Sequence, residues 1–202
     1  MDILRDRSSA RSGFLDDQFL IAMPGMRDER FARTVIYICA HSEEGAMGLI
    51  INQVQQMLFP DLLVQLGILD EEQAIRLPAG ARDIVVRHGG PVDRSRGFVL
   101  HSDDYSTGKT TMQVAGGYGM TATVEVLEAL ARGAGPARAL MALGYAGWGP
   151  GQVEAEILRN DWLTADAPQD LVFSADDGGK WGAALRLLRI DPLTLSAAAG
   201  RA

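Results

Sequence analysis

Residues 34–52 read TVIYICAHSEEGAMGLIIN, two apolar stretches separated by a short polar segment. Thr34–Ala40 is rich in β-branched and aromatic residues without strict alternation, which is typical of a strand covered on both faces. Ala46–Asn52 has the composition of a second buried strand, and about five residues connect the two. Because a parallel crossover needs about a dozen residues or more, these strands must be antiparallel neighbours in a hairpin.

Strands and helices follow in irregular order on both sides of this hairpin. Apolar runs predict further strands at Phe19–Met23, Asp83–His88, Gly97–Ser102, Thr110–Ala115, Ala137–Leu143 and Leu171–Ser174, with a flexible junction at Gly116–Gly119. Helical spacing and end signals predict helices at Phe59–Leu66 with an extension over 70–76, at Ala122–Arg132, from Pro150 to Arg159, and from Trp181 to Asp191, with a loop at Leu77–Arg82. This mixture indicates an α+β fold: a single compact domain with a largely antiparallel mixed sheet and helices packed around it.

The composition is that of one soluble globular domain. The chain has 202 residues, and its 47% hydrophobic and 22% charged residues are close to average globular usage, which excludes disorder and coiled coil for the whole chain. The single cysteine excludes an internal disulfide framework and a multi-cysteine zinc module. We expect residues 14–192 to form the domain, with polar tails at 1–13 and 193–202.

Two features of the sequence indicate a cytosolic protein. No segment approaches the roughly 20 apolar residues that a membrane-spanning helix needs, so we expect no membrane association. The first 13 residues combine arginines with Asp2 and Asp6, and no apolar segment follows them. A secretory signal requires that apolar segment, and organelle presequences are poor in acidic residues.

Residues 144–152, GYAGWGPGQ, are the most unusual stretch of the chain. Four of these nine residues are glycines, and they lead into the predicted helix near Pro150. A helix N-terminus offers free N–H groups and partial positive charge to an anion, although the spacing is not that of a dinucleotide-binding motif. The alternative is structural: the glycines allow a buried strand to turn sharply while Tyr145 and Trp148 pack.

Histidine patterns for metal binding and catalysis are incomplete. If 83–88 and 97–102 form a hairpin, His88 and His101 lie at its opposite ends and cannot share a metal ion. His101 and Ser102 have the residue types of a nucleophile and its base, but adjacent residues on a strand point to opposite faces. We therefore predict no metal, no cofactor and no catalytic residue.

Charge disfavours direct nucleic-acid binding. The formal net charge is −7 at pH 7, whereas phosphate contacts require a basic surface. The richest basic region, residues 82–96, has four arginines offset by Asp83 and Asp93. A helix-turn-helix pattern with a basic second helix is not apparent.

Six blocks of residues follow one another along the chain: Phe19–Pro24 (FLIAMP), Phe31 with Arg33–Val35, His41 with Gly45–Asn52 (GAMGLIIN), Gly89–Val92 (GGPV) with Arg96–His101 (RGFVLH), Gly144–Glu154 (GYAGWGPGQVE), and Asn160 with Trp162. In this order, from about Phe14 to Ile190, the sequence resembles the YqgE/AlgH family of bacterial proteins. The chain departs at Val54, where the family usually has proline, and at Arg189, where it often has glycine. The resemblance implies an α+β fold, a cytosolic location and a role in transcriptional regulation, with no agreed enzyme activity, cofactor or catalytic residue.

The leading hypothesis is a non-catalytic regulatory or binding protein that acts indirectly, through a protein partner or a small ligand. We expect its recognition surface at the glycine loops 89–91 and 144–151, with His101 nearby. The residues assigned to this surface are Gly89, Gly90, Pro91, His101, Gly144, Tyr145, Gly147, Trp148, Gly149 and Gln152. The alternatives are an enzyme or sensor that binds a nucleotide or phosphorylated small molecule at 144–152, and a regulator that binds DNA directly.

Overall fold

The computed structural model describes residues 14–191, so the expected tails at 1–13 and 193–202 lie outside the described residues. The strands are β1 (Gln18–Ala22), β2 (Val35–Ser42), β3 (Gly45–Ile50), β4 (Val54–Leu58), β5 (Val85–His88), β6 (Val92–Ser102), β7 (Thr111–Val114), β8 (Tyr118–Thr121), β9 (Ala139–Trp148) and β10 (Trp162–Asp166). The helices are α1 (Phe59–Gln65), α2 (Glu71–Ile75), α3 (Ala79–Arg82), α4 (Val124–Ala131), α5 (Gln152–Leu158), α6 (Gln169–Val172) and α7 (Lys180–Leu187). Short 3₁₀ turns lie at Glu29–Phe31 and Gly108–Thr110.

The strands form one sheet in the order β10-β1-β2-β3-β9-β6-β8-β7, while β5 pairs with β9 and β4 with β5. The β5–β9 pair is parallel and the other pairs are antiparallel. The prediction of an α+β fold with a largely antiparallel mixed sheet is confirmed. The predicted hairpin is confirmed as β2–β3, which runs in register from Ile36–Ile50 to Ser42–Gly45 around a bulge after Ile38.

Strand β9 is the hub of the sheet. Along one edge it pairs with β6, and along the other it pairs first with β5, at residues 141–143, and then with β3, at 146–148. Gly144 lies between these two partners and has a φ of +73°, which lets the strand bend from one to the other. The prediction that residues 144–151 form a loop is therefore wrong for 144–148, which belong to β9.

One strand pairing that was considered and one predicted strand are not found in the structure. The segments 83–88 and 97–102 do not form a hairpin, because β9 lies between β5 and β6. Leu171–Ser174 is not a strand, since α6 covers Gln169–Val172 and begins after Pro168, a residue suited to a helix start. A short apolar run fits a buried helix turn as well as a strand.

The sequence analysis also missed several elements. Gly116 and Gly117 both have positive φ and form the turn of a β7–β8 hairpin, so the expected junction contains the start of β8. Strand β10 completes the sheet beside β1, and α3 replaces part of the predicted loop at Leu77–Arg82.

Helices cover both faces of the sheet. On one face α1, α3 and α4 pack on β5, β6 and β9 around Leu63 and Met141, and on the other α7 packs on β1 around Phe19 and Leu185. Val153 of α5 packs with the tryptophans of β9 and β10. None of the helices within residues 14–191 is long and apolar enough to cross a bilayer.

Candidate functional site

The two glycine segments of the predicted recognition surface are in contact. A Cβ on Gly89 would lie 2.2 Å from the carbonyl oxygen of Gly144, and a Cβ on Gly90 would lie 2.0 Å from the carbonyl carbon of Tyr145. Gly89, Gly90 and Gly144 are buried, and Pro91 is half-buried. The segments thus meet as closely packed backbone at the sheet junction, where glycine is required because side chains do not fit.

His101 does not join this surface. It pairs with Ala139, whereas Tyr145 pairs with Val92, so His101 lies towards the opposite end of the β6–β9 ladder. Its ring is fully buried, with Nδ1 2.8 Å from the carbonyl oxygen of Ser102 and Nε2 2.9 Å from the Thr121 hydroxyl. Both ring nitrogens have structural partners, and the expectation that His101 lies near the glycine segments is wrong.

Trp148 is buried in a cluster that we call the tryptophan clamp: Trp148, Gln152, Glu156 and Trp162. The indole N–H groups of Trp148 and Trp162 both donate to Glu156 Oε2, each at 2.8 Å. Gln152 Nε2 donates to Glu156 Oε1 at 2.9 Å. The i, i+4 spacing of Gln152 and Glu156 on α5 brings their side chains together, a signal that the sequence contained.

The start of α5 offers little to an anion. Gln152 Oε1 accepts the Gly149 N–H at 3.0 Å, and the Gln152 N–H bonds to the Gly149 carbonyl oxygen. Glu154 adds a carboxylate to the first turn, which opposes a phosphate there. Gly147, Gly149 and Gln152 are nevertheless exposed, so this part of the predicted surface is accessible.

Glu154 is paired with the buried His41. His41 Nε2 lies 2.8 Å from Glu154 Oε1, and Nδ1 accepts the Leu15 N–H at 2.9 Å. An accepting Nδ1 assigns the proton to Nε2, which donates it to the carboxylate. His41 therefore ties residues 14–16 and α5 to the end of β2.

A buried ionic triad joins α7 to the sheet. Arg87 donates to both carboxylate oxygens of Asp177, at 2.8 and 3.0 Å, and Lys180 Nζ donates to Asp177 Oδ1 at 3.0 Å and to the Ile51 carbonyl oxygen at 2.8 Å. All three side chains are buried. Burial, and then the neighbouring guanidinium of Arg87, lower the pKa of Lys180 below its ordinary value.

Metal and thiol chemistry have little support. Within the described residues, no group of three or more His, Cys, Asp or Glu side chains converges to hold a metal ion. Burial raises the pKa of the Cys39 thiol to about 12, which keeps it protonated and weakly nucleophilic at neutral pH.

Strand β4 has an exposed apolar edge. Among residues 14–191 it pairs with β5 and with no other strand, and Val54 and Leu58 are 58% and 61% exposed. Val85 of β5 is exposed beside Leu58, its register partner. We call Val54, Gln56, Leu58 and Val85 the β4 edge. The sequence analysis did not include β4. Its sequence, VQQML, contains neither charge nor proline and is therefore compatible with a strand.

Comparison with known proteins identifies the family. A family model described as AlgH-like matches residues 19–193. This chain belongs to the AlgH-like family. UPF0301 proteins of Mesorhizobium japonicum and Brucella melitensis are 63% and 57% identical to it, over 100% and 97% of this chain and 100% and 98% of their own lengths. The resemblance found in the sequence is confirmed.

Solved structures agree with the AlgH-like fold. The solution structure of the AlgH protein from Pseudomonas aeruginosa is 40% identical, with a TM-score of 0.77 over 98% of this chain and 100% of that one. The crystal structure of protein DIP2367 from Corynebacterium diphtheriae, 22% identical, has a TM-score of 0.65 over 96% and 97% of the two chains. The latter similarity concerns the fold alone.

Arg189, one of the two departures from the family pattern, has a structural context in this AlgH-like chain. It follows α7 with a φ of +59°, a conformation that glycine adopts without steric cost. The Ile190 N–H bonds to the Leu185 carbonyl oxygen, as in a Schellman helix end. Arg189 therefore adopts the same left-handed conformation at the helix end that a glycine would adopt more easily.

We predict that the tryptophan clamp of this AlgH-like protein contributes to its stability. Glu156→Ala removes the acceptor of two indole N–H groups, and we expect it to lower the free energy of unfolding by about 2–3 kcal/mol in urea titrations. Tryptophan emission should shift to the red as water reaches the indoles. Glu72→Ala, which removes an exposed partner of Arg76 on α2, is the matched control. Equal effects of the two substitutions would contradict a role for the clamp.

Proposed function

We propose that this AlgH-like chain is a cytosolic, non-catalytic regulatory protein that acts by binding a partner protein. The observation that carries the proposal is the open β4 edge, an uncharged strand with two exposed apolar side chains. Monomeric proteins usually protect such an edge with charged residues, proline, a β-bulge, a short strand or a covering element. A register shift between Val54 and Leu58 bends β4 but leaves both side chains exposed.

An extended segment of a partner protein fits this edge. Such a segment would pair its backbone with β4 and place alternate apolar side chains against Val54 and Leu58. The net charge of −7 favours a partner whose flanking residues are basic. The same charge disfavours DNA, so any effect on transcription would pass through the partner.

The buried titratable groups described above are poorly placed for catalysis. His41 and His101 have both ring nitrogens engaged in hydrogen bonds, and Asp177 and Lys180 are buried against each other. A general base needs a free nitrogen or oxygen within reach of a substrate. The exposed edge is available to a partner without any rearrangement of these groups.

The test uses a synthetic peptide, KKVTVTVTVKK, with fluorescence polarisation for affinity and amide hydrogen exchange for location. We expect binding to slow exchange at residues 54–58. The double substitution Val54→Lys with Leu58→Lys should weaken binding at least about tenfold, because it removes two apolar contacts and adds like charge. Leu158→Lys, at an exposed leucine of α5, is the control and should leave binding unchanged.

Three outcomes would overturn the proposal. One is the absence of peptide binding, and another is binding that the double substitution leaves intact. The third is concentration-dependent self-association in analytical ultracentrifugation that the double substitution abolishes, which would assign the β4 edge to a second copy of the chain.

A further inference from the structure

A pocket lies beside the tryptophan clamp, and Glu156 and Trp162 of the clamp form part of its wall. The wall is built from residues 23–31 and residues 156–162. The pocket volume is about 740 Å³, which is within the usual range of small-molecule sites. We call it the Trp162 pocket. In the part of the chain that the structure describes, it shares no residue with the β4 edge.

Part of the pocket wall is apolar. Met23, Met26 and Phe31 are half-buried, and Met26 and Phe31 pack against the core cluster that contains Trp162. The Phe31 and Trp162 rings meet edge to face, with their centroids 5.5 Å apart. Unbranched thioether side chains adapt to ligands of different shape, while the aromatic rings provide a rigid surface beside them. This part of the wall can hold an apolar side chain.

Most of the charged groups in the wall are already paired. Asp28 accepts hydrogen bonds from Arg30 Nε at 2.9 Å and from Arg30 Nη2 at 2.6 Å. Arg159 Nη2 donates to Asp161 Oδ2 at 3.1 Å. These pairs neutralise themselves and leave two charged side chains of opposite sign in the lining of the pocket.

The first of these is Glu156, whose partners are all neutral. Its carboxylate accepts the indole N–H groups of Trp148 and Trp162 and an amide N–H of Gln152. Among residues 14–191, no cation forms an ion pair with it. The three hydrogen bonds fix the carboxylate but do not compensate its charge. A carboxylate has about four acceptor sites, so one site remains for an ammonium group.

The second is Arg27, an exposed side chain. It forms no hydrogen bond or ion pair with any residue that the structure describes, Glu156 included, although both line the same pocket. An arginine binds a carboxylate through two parallel N–H groups. A ligand that carries both an ammonium and a carboxylate group can therefore compensate both charges at once.

We propose that the Trp162 pocket binds a free α-amino acid with an apolar side chain. Its ammonium group bonds to Glu156, its carboxylate bonds to Arg27, and its side chain packs against Met26 and Phe31. A ligand with only one charged group would leave one of the two protein charges uncompensated, so the pocket selects the zwitterion. This site does not depend on the β4 edge, and each can fail without the other.

L-Phenylalanine, phenethylamine and 3-phenylpropionate are the probes, because each of the last two lacks one charged group of the first. NMR titrations follow the indole N–H signals. The signals of Trp148 and Trp162, which donate to Glu156, should shift more than that of Trp181, which donates to the Ala22 carbonyl oxygen. We expect phenylalanine to bind about fivefold more tightly than either analogue, the effect of one partly exposed charge pair.

Substitutions then assign each charge. Arg27→Gln changes an exposed side chain and should abolish the preference for phenylalanine over phenethylamine. Arg82→Gln, at another exposed arginine, is the matched control and should retain that preference. Glu156→Gln keeps an oxygen acceptor for the indoles and should abolish the preference over phenylpropionate.

The unmodified protein alone can overturn the proposal. It fails if phenylalanine does not shift the Trp162 indole signal at millimolar concentration. It also fails if either analogue binds as tightly as phenylalanine, because the pocket would then not select the zwitterion. A preference over phenethylamine that survives Arg27→Gln would likewise contradict it.

Discussion

Replacing Asp177 with alanine should lower the free energy of unfolding by about 3–5 kcal/mol, the largest electrostatic effect that we expect in this protein. The substitution leaves Arg87 and Lys180 buried side by side without their shared carboxylate. The two buried cations lose their attraction to the carboxylate, and their mutual repulsion is no longer compensated. Burial also keeps water away from both charges. Urea unfolding followed by circular dichroism measures the loss.

Asp170→Ala is the matched control for this prediction, since it makes the same change at an ion pair in solvent. Asp170 contacts Arg138 at 3.0 Å but is 90% exposed, so we expect a loss of about 1 kcal/mol or less. If Asp177→Ala cost no more than Asp170→Ala, the triad would not hold α7 to the sheet.

The second large effect is expected at the sheet junction. Gly89→Ala places a methyl group 2.2 Å from the backbone oxygen of Gly144 and 2.9 Å from the Ala142 Cβ. Backbone cannot move aside as a side-chain end can, because β9 is held by partners on both edges. We expect a loss of about 4 kcal/mol or more, within the range that single substitutions reach only exceptionally.

Gly80→Ala provides the control for this glycine. Gly80 lies in α3, and a Cβ there would meet nothing within 4 Å. Alanine has the higher helix propensity, so this substitution should be neutral or stabilising by up to about 1 kcal/mol. Thermal unfolding of both variants makes the comparison, and a Gly89→Ala protein that unfolds at the wild-type temperature would contradict the packing described.

The fold could be predicted from the sequence where the partners of an element lie close to it along the chain, and not where they lie far away. The β2–β3 hairpin was predictable because its connection is too short for any other arrangement. Residues 144–148 were interpreted as loop because their partners, β3 and β6, come from distant parts of the chain. Glycine at a strand junction and glycine in a loop have the same local pattern.

The residues of the candidate site also differ in how far the sequence predicts their surroundings. No signal in the sequence indicated the contact between residues 89–91 and 144–145, which the hypothesis of a shared surface only assumed. The packing of Trp148 was one of the two alternatives considered, whereas the burial of His101 was not expected, since nothing local distinguishes a buried ring from an exposed one. The ionic triad was beyond prediction, because Arg87 and Asp177 are 90 positions apart.

The late position of β9 has a consequence for protein synthesis. The ribosome completes β3, β5 and β6 before it adds residues 139–148, so these strands leave the tunnel without the neighbour that joins them. At about 5–20 residues per second, the nascent chain carries their open edges for several seconds. Unpaired edges are templates for aggregation, so we expect the nascent chain to be most prone to aggregation in the interval before β9 is made.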